Sequence, residues 1–303
     1  MISVIIPTYK RTQSVVECLK GLQKQIMLPH EVIVVVRDED KETLDTLKKS
    51  DFSPLVVKLE LVHEPGMVAA LNKGLIRSEG EIIAITDDDT IPQKQWLYYI
   101  NDCFESNKHV GGVGGRDWVY INGKLVEGIG KKVGKVKWFG KVVGNHHLGT
   151  KFHEVDVLKG ANMSFRKTAI NHIRFDHRLK GSGAQVHNDL AFSLEVKKAG
   201  WTLIYDPRVA VDHYPAQRFD EDKRNSFNAV AQFNAVFNET FTLKNYLGPF
   251  KRVIYFIWAF LVGTSSAPGI LQVFRLLITL KNNNLVEKYI ATQRGRLNGM
   301  VSR

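Results

Sequence analysis

Through its first third the chain alternates apolar runs of strand length with stretches of helical period. "ISVIIPTY" opens as a strand, and in "SVVECLKGLQKQ" the residues Val15, Val16, Leu19 and Leu22 share one face. Ser14 and Glu17 have the spacing of a capping box, which predicts a helix start there. "EVIVVV" predicts a buried strand, "DKETLDTLKKS" a short helix, "LVVKLELVH" a strand, "GMVAALNKGLIRSEG" a helix and "EIIAIT" the next strand. Strands alternating with helices define an α/β class with a mostly parallel sheet covered on both faces. Such sheets bind ligands beyond the carboxyl ends of their strands.

Further along, "QKQWLYYINDCFES" is helical, and Asn122-Gly123 between two strand-like runs predicts a hairpin. The glycine- and lysine-rich "KKVGKVKWFGKVVGNHHLG" has no clear period and reads as a surface insertion. "VDVLKGANMSFRKTAI" predicts strand, turn and helix, "HNDLAFSLEVKKAG" a helix stopped by Gly200, and "TLIYDPRVAVDHY" a strand pair closing a first domain over residues 1–224. Residues 225–303 differ in character. "NSFNAVAQFNAVFNETF" is helical, and two apolar runs follow, Val253 to Gly263 and "GILQVFRLLITL". Each falls short of the roughly 20 apolar residues that span a bilayer. Aromatic and basic residues at their edges favour interfacial contact, with a packed helix pair or a short bilayer hairpin as alternatives.

Charge sharpens this division. The chain carries +11, and from Tyr246 onward eight basic residues face Glu287 alone. The basicity therefore belongs mostly to the extension, which points to an anionic membrane surface and away from nucleic acid, whose binding requires a basic, aromatic-laced stripe. Cys18 and Cys103 lie in amphipathic segments without metal-type spacing and read as reduced, packed thiols of a cytoplasmic protein. No basic and apolar leader opens the chain.

Chemistry concentrates at the predicted strand ends. Asp87, Asp88 and Asp89 follow "EIIAIT", Asp38 and Asp40 follow "EVIVVV", and Pro7, Thr8 and Tyr9 close the first strand. Three adjacent carboxylates repel one another unless a cation balances them. Mg²⁺ or Mn²⁺ favours such oxygen ligands and shares them with phosphate oxygens. Asp87 and Asp89 can face an ion together while Asp88 points elsewhere. The adjacent His146 and His147 lack further ligands at zinc spacing, and their basic, aromatic surroundings fit an acceptor-binding loop better.

The ordered series "ISVIIPTYKR", "VIVVVRDED", "NKGLIRSEGEIIAITDDDTIP", "GANMSFRK" and "HNDLAFSLEVKKAGW" resembles the family 2 glycosyltransferases over about Ile2 to Pro215. The resemblance implies a GT-A fold, Rossmann-like, carrying a C-terminal helical extension similar to the membrane-associated ends of bacterial polysaccharide-assembling relatives. It implies that Pro7, Thr8, Tyr9 and Arg11 line the nucleotide pocket and that Asp38 holds the base, with Arg37 standing where an aspartate is common and Asp40 as the alternative. The aspartate triplet matches the family's DXD metal motif, with Asp89 and Asp87 as ligands and Asp88 near the ribose or sugar. His213 falls where relatives place a histidine near the metal, and its neighbour Asp212 points away if the strand alternates. Asp189 matches the catalytic carboxylate, although Asn188 replaces the usual preceding glutamate. Its place at a helix start favours the ionised form.

"KGANMSFRK" offers Asn162 for donor or acceptor hydroxyls, and Arg166 as a phosphate contact or a surface cation. Trp201 reads as a packed aromatic or a sugar platform. The implied reaction moves a sugar from a nucleoside diphosphate sugar to the hydroxyl of a sugar, lipid-linked or other acceptor, with inversion. No QxxRW-type motif is present, so one sugar per encounter is expected. A phosphotransfer enzyme using the same aspartates is the rival chemistry, but the fifth position from Asp87 is Ile91 rather than Thr or Val. A non-catalytic membrane-surface or nucleic-acid binding protein is the rival without chemistry.

Overall fold

The computed structural model describes residues 1–130, 132–224, 226–279 and 284–302. By its internal contacts the chain divides into two compact units. The first comprises Met1–Lys135, Val143–Phe175 and Phe192–Ala216, and the second Val136–Val142, Asp176–Ala191 and Gln217–Arg303.

The first unit begins with β1 (Ile2–Thr8), α1 (Thr12–Gln23), β2 (Glu31–Arg37), α2 (Lys41–Lys49), β3 (Val57–Val62), α3 (Met67–Arg77) and β4 (Ile82–Thr86). β5 (Thr90–Pro92), α4 (Trp96–Ser106), β6 (Val110–Ile121) and β7 (Lys124–Leu125) follow. A ribbon of β8 (Lys135–Val136) and β9 (Val142–Val143) precedes β10 (His153–Val155), β11 (Asn162–Arg166) and α5 (Lys167–Ile170). α6 (Asn188–Lys198) starts in the second unit's segment and runs into the first, which ends with β12 (Thr202–His213).

The main sheet has the order β10-β12-β6-β11-β4-β1-β2-β3. β4, β1, β2 and β3 are parallel neighbours, as are β6 and β12. β11 joins the two parallel sets by running antiparallel to both β4 and β6. This is the α/β, mostly parallel architecture that the sequence pattern predicts.

Alternation along the strands sorts the core. Val4 and Ile6 of β1, with Val32, Val34 and Val36 of β2, pack against Val15, Leu19 and Leu22 of α1, Leu44 of α2, and Trp96, Ile100 and Phe104 of α4. On the other face α3 approaches β1 so closely that a Cβ at Gly74 would lie 2.5 Å from Ile5 Cγ2. Phe175 and Phe192 stack at 4.1 Å, with Phe165 edge-on to Phe192 at 4.9 Å.

Two local expectations are corrected. α1 starts at Thr12, three residues earlier than a cap at Ser14 allows, and its N-cap Arg11 offers no acceptor to the free N–H groups of the first turn; its guanidinium pairs with Asp88 instead. "TLIYDPRVAVDHY" is one long strand rather than a pair. Between Asp206 and Val211 β12 advances five residues while β6 advances two, Gly115 to Asp117, so the excess bulges out without breaking the strand. The predicted hairpin joins β6 to β7, with Asn122 and Gly123 at φ 51° and 74°, as a primed turn needs.

In the second unit, α7 (Ala229–Tyr246) is capped by Asn228, whose side chain accepts from Val230 N at 2.8 Å and Ala231 N at 3.1 Å. α8 (Pro249–Leu261) starts on a proline at its first helical position. α9 (Ile270–Thr279) and α10 (Leu285–Val301) complete the unit. α10 crosses α7 at Gly295 and Gly299, where an added Cβ would meet Phe233 O at 2.8 Å and Phe237 O at 2.9 Å. Among the described residues, no helix is long and apolar enough to cross a membrane.

Candidate active site

β1 ends at Thr8, β4 at Thr86 and β12 at His213. The turn after β4 is tight: Asp87 O accepts from Thr90 N at 3.3 Å and from Thr90 Oγ1 at 2.8 Å. β5 then pairs antiparallel with β12, setting His213 opposite Thr90. This register brings His213 beside Asp89, with Nε2 3.3 Å from Asp89 Oδ1. Asp89 Oδ2 accepts from Ala216 N at 2.9 Å and lies 3.6 Å from Arg11 Nη1. Asp87, Asp89 and His213 each present a ligand atom within 4.8 Å of the others.

The site has a support that the sequence did not reveal. Asp117 of β6 is fully buried, lies 3.5 Å from His213 Nδ1 and is paired with Lys159. A carboxylate behind the ring nitrogen that faces away from a metal fixes the imidazole's orientation and tautomer. Asp212 does not supply it, because its side chain accepts from Gln93 Nε2 at 3.0 Å. The only available signal was an acidic residue inside the strand-like run "GGVGGRDWVY".

Charge coupling runs through the cluster. Burial lowers the pKa of His213, but the neighbouring carboxylates of Asp117 and Asp89 outweigh it and raise the ring to about 9. Burial raises Asp117, but His213 and Lys159 outweigh it and hold the carboxyl at about 2. Asp89 is likewise held well below the ordinary carboxylate range, burial being outweighed by His213 and Arg11. A divalent cation fits here. Two carboxylates and an imidazole are suitable donors, and the buried His213 Nε2 makes no well-aligned hydrogen bond within the protein.

Asp88 is turned inward and differs from the expected ribose or sugar contact. It is buried, one oxygen accepting from Thr8 Oγ1 at 2.8 Å and the other from Arg11 Nη1 at 2.7 Å. Burial pushes its carboxyl up, against the pull of Arg11. Asp88 thus organises Thr8 and Arg11 and ties the end of β1 to the turn after β4. Pro7 is buried in β1 beside Val35 of β2.

Tyr9 donates to Glu39 Oε1 at 2.5 Å, and the Arg37 guanidinium lies over its ring at 5.3 Å. Asp38 sits just past β2 with Oδ2 2.7 Å from His63 Nδ1, and this contact lowers its pKa. Asp40 is a helix cap. It is buried, accepts from Thr43 N at 3.3 Å, and accepts from Lys10 N at 2.6 Å.

Asn162 also departs from its expected role as a hydroxyl contact. Its Oδ1 accepts from Trp96 Nε1 at 2.8 Å and its Nδ2 donates to Val209 O at 2.8 Å, so the buried amide is a clamp between α4 and the β12 bulge. Arg166 is neither a phosphate contact nor a free surface cation: it donates to Phe104 O at 2.7 Å and Val110 O at 3.1 Å. Trp201 packs against Gly111, where an added Cβ would fall 2.4 Å from Trp201 Cβ and 2.8 Å from its indole Cγ. His146 is buried with Nε2 2.9 Å from Val157 O, and Asp87, Asp89 and His213 form the metal-type cluster among the described residues. Asp189 lies in the second unit, in the first turn of α6, where Oδ1 accepts from Leu190 N at 2.8 Å.

A mixed, mostly parallel sheet with an antiparallel strand between its two parallel sets, flanked by helices, is the GT-A fold. The chain belongs to the family described as glycosyltransferase like family 2, whose profile matches residues 1–231. The glycosyltransferase AglE of Haloferax volcanii is 28% identical over 233 residues, spanning 75% of this chain and 70% of AglE. In fold, the chain is similar to S. aureus TarS 1–349, crystallised with UDP-GlcNAc. The TM-score is 0.62 at 19% identity, covering 98% of this chain and 79% of that one. It is also similar in fold to the mannosyltransferase PcManGT of Pyrobaculum calidifontis, in complex with GDP-Man and Mn²⁺. There the TM-score is 0.58 at 16% identity, covering 98% and 86%.

Proposed function

We propose that this glycosyltransferase moves a sugar from a nucleoside diphosphate sugar to an acceptor hydroxyl, with inversion and with help from Mg²⁺ or Mn²⁺. The observation that carries the reading is the meeting of Asp87, Asp89 and His213 beyond the carboxyl ends of β4 and β12, where an α/β sheet binds its ligand. These three residues would hold the cation, which offsets the negative charge gathering on the departing diphosphate. Pro7, Thr8, Tyr9 and Arg11 would border the nucleotide, and Asp38, at the end of β2, would bond its base. Asp88 contributes by holding Arg11 and Thr8 in place.

Asp189 is the proposed base. It takes the proton from the acceptor hydroxyl, the freed oxygen pair attacks the anomeric carbon, and the bond from that carbon to the diphosphate oxygen breaks. The acceptor is a sugar or lipid-linked hydroxyl in polysaccharide or glycolipid assembly. The C-terminal extension meets an anionic membrane surface, which would set the enzyme at the inner face of the cell membrane.

A screen of nucleoside diphosphate sugars, with Mn²⁺ added or chelated, tests the reading. Asp89→Ala should abolish metal-dependent turnover. Asp189→Asn should lower transfer by about 10²–10⁴-fold while leaving donor binding intact. Turnover that survives both substitutions would end the assignment.

A further inference from the structure

The Val136–Val142 part of the basic, aromatic stretch in the middle of the chain belongs to the same unit as the apolar helices near its end. Residues 137–141 form a closed loop, with Lys137 N donating to Lys141 O and Gly140 N to Lys137 O, both at 2.8 Å. The loop lies against α8. Phe139 meets Trp258 edge-on at 5.1 Å, and Gly140, at φ 88°, sits where an added Cβ would come within 2.3 Å of the Tyr255 ring. This packing leaves Trp138 63% exposed beside Lys137 and near the exposed Lys141.

At about 100° per residue, Phe250, Val253, Ile257 and Leu261 fall in one narrow stripe of α8. They are 77%, 57%, 56% and 45% exposed, while Tyr255 and Ala259 on the opposite side are buried. Trp258 flanks the stripe on the same helical wheel, so the loop packs along its edge. A tight turn leads to α9, with Gly269 N donating to Val262 O at 3.0 Å and Thr264 N to Ala267 O at 2.9 Å. α9 exposes Leu271, Phe274, Leu277 and Ile278 and buries Leu276. Neither helix contains an acidic residue, and together they carry Lys251, Arg252 and Arg275.

So much exposed apolar surface marks an interaction site rather than an ordinary protein face. Helices of 13 and 10 residues extend only about 20 and 15 Å, against the ~30 Å of a hydrocarbon core, so they can lie in a bilayer surface but not cross it. Exposed basic residues on helices that contain no acidic residue of their own complement anionic headgroups, and an exposed tryptophan among lysines suits the headgroup boundary.

We infer that α8, α9 and the Lys137–Lys141 loop form one lipid-docking face. The apolar side chains enter the acyl boundary of an anionic bilayer, Trp138 marks the headgroup level, and the exposed Lys141, Lys251 and Arg275 engage the headgroups. This deepens the membrane partner proposed above and rests on that reading. The mid-chain loop is assigned to lipid rather than to the acceptor.

The full chain is floated with vesicles of phosphatidylcholine alone and of phosphatidylcholine with phosphatidylglycerol. Binding to the anionic vesicles is expected, and the exposed-site double variant Phe274→Glu/Ile278→Glu should lose it by about tenfold or more. The tryptophan emission of the wild type should shift to the blue on binding, and Trp138→Phe should lose most of that shift. Asp89→Ala should bind vesicles as the wild type does, whatever its turnover, which separates this proposal from the catalytic one. Folded wild type that ignores both vesicles, or a double variant that binds normally, would overturn the inference. A Trp138→Phe shift equal to the wild type would remove the loop from the face. A concentration-dependent dimer, seen by sedimentation and abolished by the double variant, would give the face to a second copy instead.

Discussion

Replacing Asp117 by asparagine removes one negative charge from a fully buried position while preserving side-chain shape. Asp117 has two charged partners, Lys159 and His213, and the substitution affects them differently. Breaking a fully buried ion pair costs about 3–5 kcal/mol. The Lys159 side chain is 32% exposed, so water recovers part of its charge and about 2 kcal/mol is the reasonable cost. For a unit of this size that lowers Tm by about 4–8 °C. The functional cost falls on the metal. Loss of the carboxylate behind a ligating histidine weakens binding by about 10–100-fold, or about 1.4–2.8 kcal/mol. The assay is turnover against Mn²⁺ concentration at saturating donor, with thermal melting alongside. The concentration of Mn²⁺ giving half-maximal rate should rise by that factor, with most of the rate recovered at high metal. Asp212→Asn is the control, since Asp212 neighbours His213 in sequence but turns to Gln93, and it should change neither. A folded Asp117→Asn enzyme with unaltered Mn²⁺ dependence would refute the support role.

Two further substitutions probe the framework. Glu31 is buried at the start of β2, accepting from Ser3 Oγ at 2.5 Å and Glu79 N at 2.7 Å, with Lys58 Nζ 2.7 Å away. Burial would raise its pKa, but Lys58, Ser3 and Glu79 outweigh it and leave it lowered. A depressed carboxyl contributes stability that is present above its unfolded value near 4.3 and lost as pH falls through the folded value. Glu31→Gln should therefore lower Tm by several degrees at pH 7 and by much less near pH 3, and an equal loss at both would contradict this. Gly115→Ala places a Cβ 1.8 Å from Val209 O and 2.4 Å from Asp206 O, both backbone atoms of the β12 bulge that cannot turn aside. A cost of about 3 kcal/mol or more is expected by thermal or chemical unfolding, and a near-neutral result would mean the bulge is looser than its packing suggests.

The parallel half of the sheet was legible because fully buried strands are nearly continuous apolar runs, as "EVIVVV" and "EIIAIT" are, and because helical period set off α1 to α4. The bulged β12 was not, since Asp206, Pro207 and Arg208 look like a turn in one dimension, whereas Arg208 folds back onto Asp206 and the strand continues. Residues named for the site from the end of β4 lie where a strand end must put them. Asn162 and Arg166 were misjudged because polar side chains in a glycine-flanked segment resemble ligand contacts. Only the structure shows that Trp96 and Val209 already occupy the first and the carbonyls of Phe104 and Val110 the second. Asp117 escaped notice because its meaning comes from His213, two residues past its register partner Val211 and nearly a hundred positions away.

The bulge in β12 also makes the metal cluster depend on counting. His213 faces Asp89 because β12 carries a fixed excess of residues between Asp206 and Val211 before it pairs with β5. Side chains alternate in a strand, so removing one residue there would bring Tyr214 opposite Thr90 and turn the imidazole to the other face. A chain shortened in this way would keep every aspartate and histidine of the motif and still lack the cluster. Among relatives of this protein, the length of that short segment is therefore as informative about metal binding as the residues that would hold the ion.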